Sequence, residues 1–357
     1  MKKTILALMI PALFATSASA VTVYSDEGSQ VDIYGRIQYE AGQRYYQTAD
    51  TSKAENFGGD GEARLGVNAK YLLNDDVDLI GKLEWAVVSE ADRTSDGVSK
   101  DGNQSLATRY AWAGFRFVDT TELTFGRSMD PYAQALYYTD ILDIYGGTAA
   151  YGSAIGLASD KVDDQVQLTY AANGVDLRAG YAFADSDKQD GNTGKKNQWS
   201  ASAGYTAPFG LGVVAAYEQQ KFGTGTVSSI GSSPLNGDKD FDAWIVGVNY
   251  TIDGFYFAAL YTEQKLENDN SKLDTEGYEL HAQYNVDAWT MFAQYSNERA
   301  DDNNGVKWDS IDSTTVGVRY ALTPKTKLYT EYVISDSEFK NGTEKDDVYG
   351  MGIQYNF

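Results

Sequence analysis

Arg36, Arg64 and Arg109 recur on the polar positions of short alternating segments, and Asp140 and Asp143 lie in a long connection that follows them. Bases and acids held on opposite sides of a narrow, hydrated waist set up a transverse field, which orients dipolar solutes and filters ions by sign. Taken singly, the same residues are spaced wall charges and loop acids with no joint role. Bond-making chemistry finds less support. The chain has one histidine, His281, beside Glu279 and Gln283 on a polar face, and no cysteine. A Ser-His-acid or Asp-His pairing is conceivable there, but a lone wall histidine is far more often a hydrated side chain, so no enzyme is expected. With no second His, no Cys and no glycine fingerprint before a helix, neither a metal nor a nucleotide cofactor is expected. Loop acids such as Asp301 and Asp302 read as solvated groups, not as a calcium site.

The elements that must position those charges show a strict period of two. In VDIYGRIQYE (31–40), Val31, Ile33, Gly35, Ile37 and Tyr39 take one face, and Asp32, Tyr34, Arg36, Gln38 and Glu40 the other. EARLGVNAKY (62–71) and VDLIGKLEW (77–85) repeat the pattern, with Arg64, Lys82 and Glu84 on polar faces. It recurs near 106–116, 121–127, 164–171, 175–183, 198–206, 211–221, 242–251, 254–263, 277–284, 288–296, 313–321, 325–333 and 347–357, which makes 16 strands. The segment 254–263 is ambiguous, because both its faces are largely apolar. Alternation over such lengths is the mark of a half-buried strand.

Connections alternate short and long. Short ones hold Asn74-Asp75, Thr120, Asn173-Gly174, Pro208-Phe209-Gly210, Asp253-Gly254, Asp287 and Pro324, and suit hairpins. Long ones near 48–61, 90–105, 128–163, 184–197, 222–241, 264–276, 297–312 and 334–346 are, the third apart, rich in Asp, Gly, Ser, Lys and Asn. Such a meander puts all long loops at one end. A flat open sheet of this size would expose two unpaired edges. Closure into an antiparallel transmembrane β-barrel removes both, with apolar faces on lipid and charged faces around water.

Other features agree. Lys2 and Lys3, an apolar run from Ile5 to Phe14 and Ala18-Ser19-Ala20 describe a secretory leader. Cleavage after Ala20 leaves a barrel of residues 21–357. No later apolar run could span a bilayer as a helix, but membrane strands leave none. Tyrosine is abundant, at 27 residues, as befits membrane interfaces. Net charge is −22, or −24 without the leader lysines, which argues against nucleic-acid binding. It suits a cation-attracting surface, or one bridged to anionic lipid and lipopolysaccharide by divalent ions. The last strand ends the chain on Tyr349, Met351, Ile353, Tyr355 and Phe357 along one face.

The third long connection stands apart. It carries Tyr132, Leu136, Tyr137, Tyr138, Ile141, Leu142, Ile144 and Tyr145 and needs something to pack on. A hollow barrel offers its interior. There Ala133 to Tyr138 would form a short helix and Gly146-Gly147 a tight bend, with Asp140 and Asp143 turned to the wall that bears Arg36, Arg64 and Arg109.

VDIYGR (31–36), ARLGV (63–67), TRYAWAGFRF (108–117), FGR (125–127), YTDILDIYGG (138–147) and IQYNF (353–357), in this order on one alternating frame, resemble the trimeric general porins of Gram-negative bacteria. The stretch TAAYGSAIGLASDKVDDQVQLTYAANG is similar to the vibrio-type branch. The resemblance covers the mature chain. It implies a homotrimer in the outer membrane, a third loop folded into the lumen, and passive diffusion of small hydrophilic solutes and ions. It also implies that Arg36, Arg64, Arg109 and Asp140 match constriction positions. The chain departs from the enterobacterial Pro-Glu-Phe-Gly-Gly in having Asp143-Ile144-Tyr145-Gly146-Gly147, which shifts the second acid by one residue. A further family arginine has no counterpart near Ser153. With one base fewer on an acidic chain, cation preference is expected. The rival is a substrate-specific channel, which would carry a track of aromatics along its polar faces. Tyr34 is the main aromatic that alternation puts there.

Overall fold

In a computed structural model, residues 20–43, 57–88, 106–146, 149–184, 195–223, 239–268, 271–302 and 304–357 are described. The expected leader (but for Ala20), the connection at 90–105 and Gly147 of the expected bend lie outside them.

The chain folds as an all-β barrel. A short first strand β1 (Val21–Asp26) is followed by β2 (Ser29–Gln43), β3 (Phe57–Asn74), β4 (Val77–Val88), β5 (Leu106–Phe117) and β6 (Thr121–Met129). A helical turn α1 (Ala133–Leu136) lies in the long connection to β7 (Lys161–Ala172), β8 (Val175–Ala182), β9 (Lys195–Thr206) and β10 (Leu211–Phe222). Then come β11 (Lys239–Ile252), β12 (Phe255–Glu267), β13 (Lys272–Val286), β14 (Trp289–Asp302), β15 (Lys307–Thr323), β16 (Thr326–Ser335) and β17 (Val348–Asn356). From β2 onward each strand pairs antiparallel with the next, and β17 returns to β2, so 16 strands close a ring. Every expected strand is present.

β1 was not foreseen. It joins β2 through Glu27 (φ 40°) and Gly28 (φ 87°), a two-residue turn with both angles positive, like Asn173-Gly174 and Asp253-Gly254. One edge of β2 is occupied by β3 along its whole length. β17 takes residues 36–42 of the other edge, and β1 takes residues 29–33 below it. Phe357 lies between them, exchanging both backbone hydrogen bonds with Gly35 at 3.0 Å. The two chain ends thus share one seam, which leaves little of that edge of β2 unpaired.

The burial pattern is inverted relative to a water-soluble sandwich. On β14 the exposed side carries Trp289, Met291 and Tyr295, while Gln294, Ser296 and Glu298 are buried. Glu84, Glu218, Glu279 and Glu331 are buried on the same inner side of their strands. Two aromatic bands ring the exposed surface six residues apart, pairing Trp199 with Tyr205, Tyr261 with Phe255, Tyr278 with Tyr284, Tyr295 with Trp289 and Tyr349 with Tyr355. Aromatic girdles flanking an apolar belt are what two membrane–water interfaces demand. Among the described residues no helix is long and apolar enough to cross a membrane.

Candidate functional site

The three arginines converge by two different routes. Arg36 and Arg64 stand directly opposite each other in the β2–β3 register. Like charges so placed repel, and Glu62, two residues before Arg64 on the same face, relieves them. Its Oε1 accepts Arg36 Nη2 at 2.8 Å and also Arg64 Nε. Arg109 arrives through a β-bulge. Tyr110 pairs with Glu84 and Thr108 with Trp85, which leaves Arg109 as an extra residue with no opposite number. Strict alternation would have put it on the face of Ala111, whose partner Leu83 is exposed. The bulge re-aims the side chain, and Arg109 Nε donates to Glu84 Oε1 at 2.7 Å.

Glu84 also accepts the Tyr34 hydroxyl on Oε2 at 2.7 Å. Lys82, on the same face of β4, has its ammonium 4.4 Å from the centre of the Tyr110 ring and 5.4 Å from that of Tyr34. Lys161, at the start of β7, stands 5.4 Å from Tyr110 and is paired with Asp160. One wall thus gathers five bases, of which sequence reasoning singled out three. Lys82 and Glu84 were legible as polar-face residues. Lys161 and Asp160 carried no such signal, because they mark the end of an irregular segment.

That segment, 130–160, is closed at its base by a hydrogen bond from Asp130 N to Asp160 O at 2.9 Å. Tyr132, Leu136 and Ile155 pack with Val214, Ala216, Phe241, Ile245 and Leu260 in the apolar core. This explains the ambiguous strand: Ala258 and Leu260 on the second face of β12 are buried. The expected short helix is present as α1.

Carboxylates from four strands hold the segment by its backbone. Glu331 accepts Asp143 N at 2.6 Å, Ile144 N at 3.1 Å and Tyr145 N at 2.9 Å. Glu279 accepts Ala149 N and Ala150 N at 2.8 and 3.1 Å. Glu298 takes Ala154 N at 2.8 Å, and Glu218 takes Ser159 N at 2.9 Å. At the base, Asp130 accepts Tyr132 N at 2.8 Å and the Ser200 hydroxyl at 2.8 Å. Its burial pushes its carboxyl above the usual range, against the pull of those two donors.

The two loop acids go to different partners. The Asp143 side chain is buried and ion-paired with both Arg319 of β15 and Lys327 of β16. Arg319 stacks on Phe292, its guanidinium carbon 4.5 Å from the ring centre. Asp140 accepts the Tyr151 hydroxyl at 3.0 Å. Burial pushes the Asp140 carboxyl up to about 6, with the Tyr151 hydrogen bond and Lys161 opposing, and with Glu279 and Asp160 adding to the rise. Among the described residues no ion pair joins either acid to Arg36, Arg64 or Arg109.

Other sequence candidates have structural partners. His281 Nδ1 lies 3.0 Å from Gln294 Oε1 between the rings of Tyr256 and Phe292. Asp301 pairs with Lys307 at 2.7 Å and Asp302 with Lys340 at 2.7 Å. The inner face also carries more aromatics than expected. Tyr256 donates to Tyr138 O at 2.7 Å and Tyr329 to Glu40 at 2.9 Å, so both are engaged in holding structure.

Residues 6–342 match the family described as Gram-negative porin. The chain is 28% identical over 389 residues to outer membrane porin F of Escherichia coli (strain K12), with both chains covered in full. It is equally 28% identical, over 371 residues and the full length of both, to porin-like protein L of Photobacterium profundum. The solved trimer form of OmpT, an outer membrane protein of Vibrio cholerae, superposes with a TM-score of 0.72 at 22% identity, covering 93% of this chain and all of that one.

Proposed function

The chain belongs to the Gram-negative porin family, and we propose that it is a general diffusion porin, whose lumen is narrowed by the segment 130–160. It is not an enzyme but an outer-membrane channel for small solutes. The observation that carries the reading is the inverted ring, with apolar side chains outside and Glu, Gln, Ser and Arg buried within. A lipid-facing barrel of this width must hold water around those charges, since burying them dry is prohibitive.

Within that reading, Arg36, Arg64 and Arg109 on the wall and Asp140 and Asp143 on the segment form the constriction. The backbone hydrogen bonds to Glu279, Glu298 and Glu331 support a segment that reaches across the interior. Engagement of Tyr256 and Tyr329 in structural hydrogen bonds favours general diffusion over a sugar-type aromatic track. The net charge of −24 after loss of Lys2 and Lys3 supports cation preference, because an acidic mouth concentrates cations. Cleavage after Ala20 would start the mature chain at Val21, which continues the seam below Phe357. Assembly as a homotrimer among lipopolysaccharide completes the reading, supported by the trimer form of the Vibrio cholerae protein.

Single-channel recording in planar bilayers tests it. Ohmic channels closing in steps of three are expected, with a reversal potential in a KCl gradient that favours potassium. Liposome swelling should fall smoothly with solute size. Saturating flux for one solute would point to a specific channel, absence of current would remove the porin reading, and a chloride-favouring potential would remove cation preference.

A further inference from the structure

On the wall that carries the three arginines, most bases are already matched. Arg36 and Arg64 share Glu62, Arg109 takes Glu84, and Lys161 takes Asp160. Lys82 is the exception. Among the described residues no carboxylate lies within 4.0 Å of its ammonium and no acceptor is hydrogen-bonded to it. Its natural partner is Glu84, two residues along on the same face. Both oxygens of Glu84 are engaged, Oε1 by Arg109 at 2.7 Å and Oε2 by the Tyr34 hydroxyl at 2.7 Å. Across the strand pair Lys82 faces Asn68, which brings no charge. What holds the ammonium is the pair of rings, Tyr110 at 4.4 Å and Tyr34 at 5.4 Å.

An ammonium has three donors and no acceptor capacity. A ring face offsets its charge in part but takes up no directed hydrogen bond. Lys82 is therefore a fixed cation with unspent donors, half-buried and on the hydrated side of the barrel. The next base on the strand pair, Lys70, is by contrast paired with Asp78 at 2.7 Å. An oxyanion of a small solute, phosphate or carboxylate, meets both needs of Lys82 at once, supplying charge and acceptors.

We propose that Lys82, framed by Tyr34 and Tyr110, is a binding site for small oxyanions on the pore wall and a determinant of which ions pass. The proposal rests on the porin reading above. An acidic chain repels anions from its mouths, so anionic nutrients need a compensating cation along the path. Binding there has to be weak enough for release, as conduction requires. One hydrated, ring-framed ammonium whose neighbouring bases Arg109 and Lys161 are already paired meets that condition.

The test uses the full-length protein in planar bilayers in KCl, with inorganic phosphate added to one side. Phosphate is expected to reduce the wild-type single-channel current in a saturable way. Lys82→Gln should weaken that block about fivefold, the factor for losing one unit charge near 4 Å in water. It should also move the reversal potential further towards potassium. Lys82→Arg should retain both properties, and Lys272→Gln, at an outward lysine paired with Asp274, should change neither. A Lys82→Gln channel of normal conductance with wild-type block and wild-type reversal potential overturns the proposal, as does a wild-type channel indifferent to phosphate. Absence of any channel in the wild type would instead overturn the porin reading. The Arg variant guards against misfolding: if Gln and Arg lose the block alike while conductance collapses in both, Lys82 is a packing residue and the proposal fails.

Discussion

The carboxylate of Glu331 accepts the backbone N–H of Asp143 at 2.6 Å, and its other oxygen takes the next two N–H groups, of Ile144 and Tyr145. Three successive donors converge on one buried side chain, which anchors the middle of the 130–160 segment. A hydrogen bond to a charged group contributes about 1.5–3 kcal/mol. Glu331→Ala, which leaves three N–H groups without an acceptor, should cost at least about 3 kcal/mol locally. The expected outcome is noisier single-channel current with frequent brief closures, and a lower temperature for loss of the folded form on gels. Quiet channels of wild-type conductance would show that the segment is held elsewhere.

Asp143 is shared by two bases, Arg319 and Lys327, so its single charge offsets one of theirs. Asp143→Asn should leave one more uncompensated positive charge beside Arg319 and Lys327 while preserving the shape of the side chain. Cation preference should therefore fall, read as a reversal potential that moves towards chloride in a KCl gradient. Asp140→Asn should move it less, because Asp140 is turned to the Tyr151 hydroxyl at 3.0 Å. Equal shifts in the two variants would mean that both acids face the open path.

How much of this could be read beforehand varies from residue to residue. Period-two alternation located every strand of the ring, because a face on lipid and a face on water impose opposite residue types. It missed β1, whose six residues adjoin the expected leader and expose both faces. It blurred β12, where Leu260 is apolar for a long-range reason, packing in one cluster with Tyr132, Leu136 and Ile155 of the 130–160 segment. Arg109 turns inward only through a bulge that alternation does not record. Arg319 was legible as a polar-face residue of its strand, but no local signal ties it or Lys327 to Asp143, 176 and 184 residues away. Glu62 was the findable one, since its position two residues before Arg64 puts it on the same face.

Stability should carry a pH signature from Asp140. Burial raises its carboxyl from 3.8 to about 6 in the folded chain, with Glu279 and Asp160 adding to the rise and Tyr151 and Lys161 opposing it. A group with a raised folded value binds its proton more tightly when folded. Its stabilising contribution is complete below about pH 3.8 and is lost as pH rises through about 6. Asp130, also raised by burial, acts in the same direction. Thermal midpoints between pH 4 and pH 7 should therefore decline less in Asp140→Asn than in wild type. Parallel curves would show that Asp140 is hydrated in the folded protein.

Closure of the ring depends on Gly35. An added Cβ there would lie 2.4 Å from Cζ of Phe357 and 2.5 Å from the Arg64 carbonyl oxygen. The ring of Phe357 could swing away, but the Arg64 oxygen belongs to the β2–β3 ladder and cannot yield without parting the strands. Gly35→Val should thus weaken both seams of β2, including the two 3.0 Å bonds to Phe357. Overpacking of this kind costs about 1–3 kcal/mol. Gly58 of β3 is the matched control, because a Cβ there would meet nothing within 4 Å. The heat-induced shift from folded to unfolded gel mobility should occur at a lower temperature in Gly35→Val and be unchanged in Gly58→Val. Adding Phe357→Ala to Gly35→Val should restore only part of the loss, since it relieves the ring contact and leaves the carbonyl contact in place. Full rescue would put the strain in the terminal ring alone and leave the β2–β3 ladder out of the account.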